Sequence, residues 1–218
     1  MTTTETRAPL TRDRIIDAAV GLADENGVDE LSMRKLGASL GVEAMSLYNH
    51  IENKDDILDG MIDFVFNSIE TPDPAIPWQR WVRQTGLAAM EAFTAHSWVV
   101  NLLMQRGNFG PSALEFMNRT LGVLRGAGFD DQSTHHAWQM LASHTMGYAF
   151  QQASGGYEKS EMVGLETRLA SLGNEFPHVV ALAPYLAECA FDQEFAFGLE
   201  IIIDGLNSRL DHVAKPQS

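Results

Sequence analysis

The sequence predicts an all-α chain in two parts, residues 1–70 and residues 71–218. Three observations lead there. Apolar residues recur at three- and four-residue steps from end to end, with no period-two strand and no internal repeat. Residues 31–58, LSMRKLGASLGVEAMSLYNHIENKDDIL, pack a cap, a glycine turn and a second cap into one short stretch. The run Thr71-Pro72-Asp73-Pro74-Ala75-Ile76-Pro77 is the strongest breaker in the chain and divides it.

Residues 1–9 are polar and expected to fray. Thr11 caps a first helix that runs to about Asn26, with Ile15, Ala18, Ala19 and Leu22 on one face and Gly27 as its stop. Ser32 caps a second helix carrying Met33, Leu36 and Leu40, which Gly41 ends by a left-handed turn. A third starts near Glu43, anchored through Val42, Leu47 and Ile51, with Ala44, Met45, Tyr48 and Asn49 on its other face. Two helices joined by so short a turn form a helix-turn-helix, whose second helix can enter the DNA major groove. Asn53 caps a fourth helix, with Asp55 and Asp56 at its positive end and an apolar stripe of Ile57, Leu58, Met61, Ile62 and Val65. Beyond the breaker, helices are expected over 78–95, 97–105, 112–126, 131–153, 162–172 and 191–210, with breaks at Gly107–Pro111, Gly126–Gly128, Gly155–Gly156 and Pro177–Pro184.

Composition narrows the classes. At 218 residues, 45% hydrophobic and 20% charged, the chain can bury a substantial core. Its apolar runs are too short to span a bilayer, and Met1–Pro9 lacks the apolar segment of a signal peptide. Cys189 is the lone cysteine, read as a buried structural thiol, which suits a reducing cytoplasm. The net charge of −14 speaks against non-specific nucleic-acid binding. Affinity depends on the surface that meets the phosphates, however, and Arg34, Lys35 and Lys54 flank the third helix. Weak non-specific binding and a steep loss of affinity with salt are expected.

The residues facing DNA follow. Arg34 is read as a bidentate guanine contact, or else a phosphate clamp. Ala44 and Met45 can touch a thymine methyl, although Met45 could instead be core. Ser46 can bond a phosphate or face solvent, and Lys54 adds its charge to a helix N-terminus as a phosphate site.

From Leu10 to about Ile62 the chain resembles the tetracycline-repressor family of bacterial transcriptional regulators. The resemblance rests on Thr11 to Ala19, Gly27, Leu31-Ser32-Met33-Arg34, Leu36, Leu40-Gly41-Val42, Ser46-Leu47-Tyr48, His50 and Asn53-Lys54. It implies that Ser32, Arg34, Ala44, Met45, Ser46, Tyr48, Asn49, His50 and Lys54 meet double-stranded DNA, with Tyr48 and His50 on the sugar-phosphate backbone. It further implies a C-terminal helical domain for ligand binding and dimerisation, and a homodimer on a palindromic operator. In the family, two helices from each subunit form a four-helix bundle. The apolar series Phe195, Leu199, Ile202 and Leu206, with Trp138, Leu141 and Thr145, is assigned to that interface, with an intrachain core as the alternative for any one of them.

A small-molecule effector is expected in the C-terminal domain, where methionines and aromatics accumulate. Its expected contacts are His96, Trp98, Met104, Phe109, Phe116, Trp138, Met140, His144 and Tyr148. His96 resembles a histidine of the tetracycline-responsive members, but Gln151-Gln152 stand where those members carry an acid towards a drug-bound magnesium. The effector is therefore expected to be apolar or aromatic and magnesium-free. Asp131, His135, His136 and His144 close no three-ligand set, so neither a metal nor another cofactor is expected. The resemblance implies a ligand-driven switch that alters the spacing of the two recognition helices and releases a repressor from DNA. The alternative is an all-α metal-dependent enzyme with a merely structural helix-turn-helix.

Overall fold

The computed structural model describes residues 9–107, 109–154, 167–169, 171–172, 175–188 and 190–213. Among the described residues every regular element is helical. Their order is α1 (Arg12–Asn26), a 3-10 turn (Val28–Glu30), α2 (Met33–Leu40), α3 (Ala44–Leu47) and α4 (Lys54–Ser68). After residues 69–77 come α5 (Trp78–Ala95), α6 (Trp98–Arg106), α7 (Pro111–Gly126), α8 (Asp131–Ala153), α9 (Pro177–Glu188) and α10 (Phe191–Val213).

The caps are where the residue types place them. Thr11 Oγ1 accepts from Arg14 N at 3.3 Å, Ser32 Oγ from Lys35 N at 3.3 Å and Asn53 Oδ1 from Asp56 N at 3.0 Å. Each side chain satisfies an amide that the first helical turn leaves without an internal partner. Gly41 ends α2 at φ 62°, ψ 39°, in the left-handed region. Leu36, Leu40, Leu47 and Ile51 are buried, as are Ile15, Ile16, Ala19 and Val20 of α1 and Ile57, Leu58, Met61, Ile62 and Val65 of α4.

Helix α4 holds the molecule together. It packs on α1 on one side and on α5, α6 and α7 on the other. Polar bonds reinforce both contacts. Arg12 reaches Asp56 at 2.7 Å, Arg106 reaches Asp55 at 2.8 Å and Asp59 at 3.0 Å, and Asp63 accepts from Ser112 N at 3.0 Å. Helices α5, α8 and α10 pack on one another, with Phe195, Leu199, Ile203 and Leu206 of α10 buried in this contact.

One expectation is corrected. The stretch Pro177–Pro184, read as a break, forms most of α9. Pro177 stands at the first helical position, where a missing N–H costs nothing, and the apolar run Val179–Ala183 carries the helix past Pro184. Cys189, residues 1–8, Gly155–Gly156 and most of the expected helix 162–172 lie outside the described residues.

Candidate DNA interface and ligand cavity

The reading head is built on a close approach between α2 and α3. A Cβ on Gly37 would lie 2.9 Å from Val42 O and 3.1 Å from Ala44 N, both backbone atoms. Glycine thus lets α3 cross α2 at this point, and Arg34 stands exposed one turn before Gly37 on α2. Helix α3 is a single α-helical turn continued by turns through His50, shorter than the sequence suggests.

Exposure separates most of the residues expected to face DNA from the core. Met45 is 75% exposed and Tyr48 45%, large apolar side chains that a packed domain would otherwise bury. Core packing therefore explains neither. Ser32, Arg34, Asn49, His50 and Lys54 are exposed too, whereas Ala44 and Ser46 are half-buried. Among the described residues no hydrogen bond or ion pair holds the Arg34 or Lys54 side chain, while Lys35 pairs with Glu30.

Part of the acidity of the domain is held by partners within the chain. Asp56 is committed to Arg12, Asp55 and Asp59 to Arg106, and Asp24 to His96 and Trp98. The hydrogen bond from Arg12 holds the Asp56 carboxyl below its ordinary value, aided by the Glu52 amide. These carboxylates are thus held by partners of this chain and are less available to repel phosphate.

The second site is an apolar cavity of about 260 Å³ between α5, α6, α7 and α8, bordered by Leu199 of α10 and open to solvent beside the exposed Met104 and Phe109. Met104, Phe109, Phe116 and Trp138 line it, as the sequence analysis expects. Phe66 of α4 lines it as well and meets Phe93 and Phe116 ring to ring at 5.8 and 5.7 Å. Sequence reasoning missed Phe66 because it lies off the core stripe of α4. Trp81, Thr85, Gly86 and Thr120 were missed because nothing in spacing shows that α5 and α7 enclose a void.

Five expected cavity residues stand elsewhere. His96 Nδ1 contacts the Asp24 carboxylate at 3.0 Å, and Trp98 Nε1 donates to the same group at 2.7 Å. This pair fastens the start of α6 to α1. His144 Nε2 donates to Phe195 O at 2.9 Å, and its ring stacks on Phe195 with Tyr148 edge-on, so both serve the α8–α10 contact. Met140 lies in a surface groove with Ile201 and Ile202. Residues assigned to the interface also lie inside the chain. Phe195, Leu199 and Leu206 are buried within their own chain, and Trp138, Leu141 and Thr145 line its own cavity. The face turned outward carries Met140, Phe197 and Ile201, with Ile202 half-buried beside them.

Among the described residues no group of three or more histidine, cysteine or carboxylate side chains could hold a metal ion, and no helix is long and apolar enough to cross a membrane.

Known proteins share this architecture. Residues 15–61 match the model of bacterial regulatory proteins of the tetR family, and residues 71–210 match the tetracyclin repressor-like C-terminal domain. The HTH-type transcriptional repressor DrrR1 of Streptomyces coeruleorubidus is 31% identical over 211 residues, covering 90% of this chain and 77% of that protein. The crystal structure of apo ActR from Streptomyces coelicolor superposes with a TM-score of 0.83 at 33% identity, covering 95% of this chain and 99% of that one. ActR in complex with actinorhodin superposes with a TM-score of 0.81 at 34% identity, covering 92% and 98%. An exposed reading head, a shared all-α architecture and both family matches lead to one conclusion: the chain belongs to the tetR family of bacterial regulatory proteins and is a DNA-binding transcriptional regulator.

Proposed function

We propose that the chain is a repressor that acts as a homodimer on a palindromic operator and is released by an uncharged apolar or aromatic molecule. The observation that carries this reading is α4, which bears Lys54 at the reading head and Phe66 in the cavity wall. About 18 Å of helix axis separates them, at ~1.5 Å per residue. A ligand that displaces Phe66, or the α6 and α7 walls bonded to Asp55, Asp59 and Asp63, therefore moves the reading head directly. Related ActR, crystallised with actinorhodin, supports an aromatic effector. A wider groove of about 930 Å³ runs along residues 71–76 and α7, but Asp73, Asn118 and Arg119 line it. The narrower cavity suits an apolar effector better. The metal-dependent enzyme alternative has no support in these observations.

Residues Arg34, Met45, Tyr48, His50 and Lys54 are the proposed DNA contacts, supported by Ser32, Ala44, Ser46 and Asn49 around them. The test is binding to DNA from upstream of the chain's own gene across a salt series. Arg34→Ala is expected to cost about 1–3 kcal/mol and to relax specificity at one position of each half-site. Lys54→Ala is expected to weaken all sequences alike and to lower the salt slope by about 1. Equal binding of operator and random duplex by the wild-type protein, extended to selection from genomic fragments, would refute the reading.

A further inference from the structure

Glu43 is the one acid of the helix-turn-helix. From Leu31 to Ile51, a stretch that holds α2, the turn and α3, no other aspartate or glutamate occurs. It stands exposed at the start of α3, and Met45, two residues on, is 75% exposed.

The fold itself makes no use of this carboxylate. Thr11, Ser32, Asn53 and Asp130 stand at the corresponding place of α1, α2, α4 and α8, and each side chain accepts from an amide of the first turn. Glu43 holds that place in α3, yet its side chain caps nothing. Among the described residues no hydrogen bond or ion pair engages it. On a surface that meets phosphate its charge is also unfavourable, because it repels the DNA backbone and offsets part of the attraction from Arg34 and Lys54. A serine or asparagine there would remove the repulsion and cap the helix as well. Glu43 thus costs stability and affinity with nothing inside the chain in return.

The chemistry of the group states what it can do instead. An ionised carboxylate accepts hydrogen bonds and cannot donate. The first residues of a recognition helix meet base edges in the major groove. Guanine shows two acceptors there and thymine one, all of which repel a carboxylate. Adenine shows a donor, but its N7 acceptor lies beside it. Cytosine shows a donor alone, its N4 amine.

We propose that Glu43 is a specificity-determining residue of the reading head, its carboxylate accepting a hydrogen bond from the N4 amine of one cytosine in each operator half-site. The inference rests on the reading of α2 and α3 as the DNA contact surface. Glu43 acts against wrong sequences more than for the right one, since any other base leaves a charged acceptor unpaired or facing another acceptor.

The test selects binding sites from a randomised duplex library with full-length wild-type protein, Glu43→Gln and Glu43→Ala. Affinities for the selected duplexes and for random duplex are then measured. The wild-type consensus is expected to hold one cytosine per half-site whose replacement weakens binding about tenfold. Glutamine matches both the donor and the acceptor of adenine, so Glu43→Gln should shift that position towards adenine. Glu43→Ala should accept all four bases there. Both variants should bind random duplex about twofold to fivefold more tightly at low salt, a gain that salt screens away. Glu43→Ser supplies the missing cap and is expected to raise Tm by about 2–4 °C. One consensus shared by all three proteins, with only a uniform gain in affinity, overturns the proposal while the operator reading stands. A changed position that is not cytosine in the wild-type consensus overturns it as well. A lower Tm for Glu43→Ser would give the carboxylate a partner within the chain, with the same result. If the wild-type protein selects no consensus, the DNA contact surface is misassigned and the proposal falls with it.

Discussion

Gly37 and Gly41 divide the work of one turn between them. Gly41 supplies a left-handed residue at φ 62°, and Gly37 supplies the space in which the backbone of Val42 and Ala44 lies. The two sites respond differently to substitution. Alanine at Gly37 would gain about 1 kcal/mol of helix propensity, but its Cβ would press on backbone atoms that cannot rotate away. We expect Gly37→Ala to destabilise by about 1–3 kcal/mol and to weaken operator binding, because α3 must lift off α2. A rise in Tm with unchanged DNA affinity would show that the turn opens freely. At this scale the sequence is readable wherever a residue acts on its own neighbours. Ser32 caps the amide three residues on, and Gly41 adopts its own backbone angles. Phe66 and Thr85 are illegible for the opposite reason. Their places in the cavity wall depend on which helices stand across from them.

Among the elements, α4 and α6 form the link between the two sites. Arg106 closes α6 with a fork between Asp55 and Asp59, one turn apart on α4, while Leu103 and Met104 of α6 reach the cavity wall. Arg106 is half-buried while Asp55 and Asp59 are exposed, so Arg106→Ala should cost about 1 kcal/mol of stability. Its larger effect should be on coupling. The factor by which a cavity ligand weakens operator binding, typically about 5–150-fold in such systems, should shrink in the variant while ligand-free binding changes little. An unchanged ligand response in DNA-binding titrations would remove the ion pairs from the switch. The opposite flank of α4 carries a pH dependence. Arg12 lowers the Asp56 pKa, so this pair stabilises fully above the ordinary value of 3.8 and its contribution is lost as pH falls through the lower, folded-state value. Chemical denaturation of wild type and Arg12→Ala should differ by a constant amount, about 1 kcal/mol or less, at pH 5–7 and converge on acidification towards pH 3. Divergence on acidification would contradict the assignment. Most helices were legible because apolar spacing and breakers are local signals. Helix α9 was not, since two prolines outweighed a good helical run between them.

At the level of the whole molecule, one face remains uncovered. Phe197 is 68% and Ile201 55% exposed on adjacent turns of α10, beside Met140 of α8. Such a patch on helices already packed against their own domain suits a second copy of the chain, in keeping with the dimer that a palindromic operator requires. Phe197→Glu is expected to shift the protein from dimer to monomer in sedimentation and to weaken operator binding. If the variant remains dimeric, the interface lies elsewhere, and the exposed Leu182, Tyr185 and Leu186 of α9 become the surface to test. The residues that the sequence reading assigned to the interface lie on the inner faces of α8 and α10. An apolar stripe has the same period whether it meets its own domain or a partner.

What the sequence determined by itself is the all-α class, the capped helix-turn-helix and the identity of its exposed residues. Each of these follows from contacts within a few residues of the chain, which spacing and residue type encode directly. Tertiary structure alone decided that Asp56, Asp55, Asp59 and Asp24 are bound by Arg12, Arg106 and Trp98, that His144 and Tyr148 belong to packing, and that α4 reaches from the helix-turn-helix to the cavity. These are relations between residues far apart in the chain. They depend on where helices cross, and no local pattern carries that information.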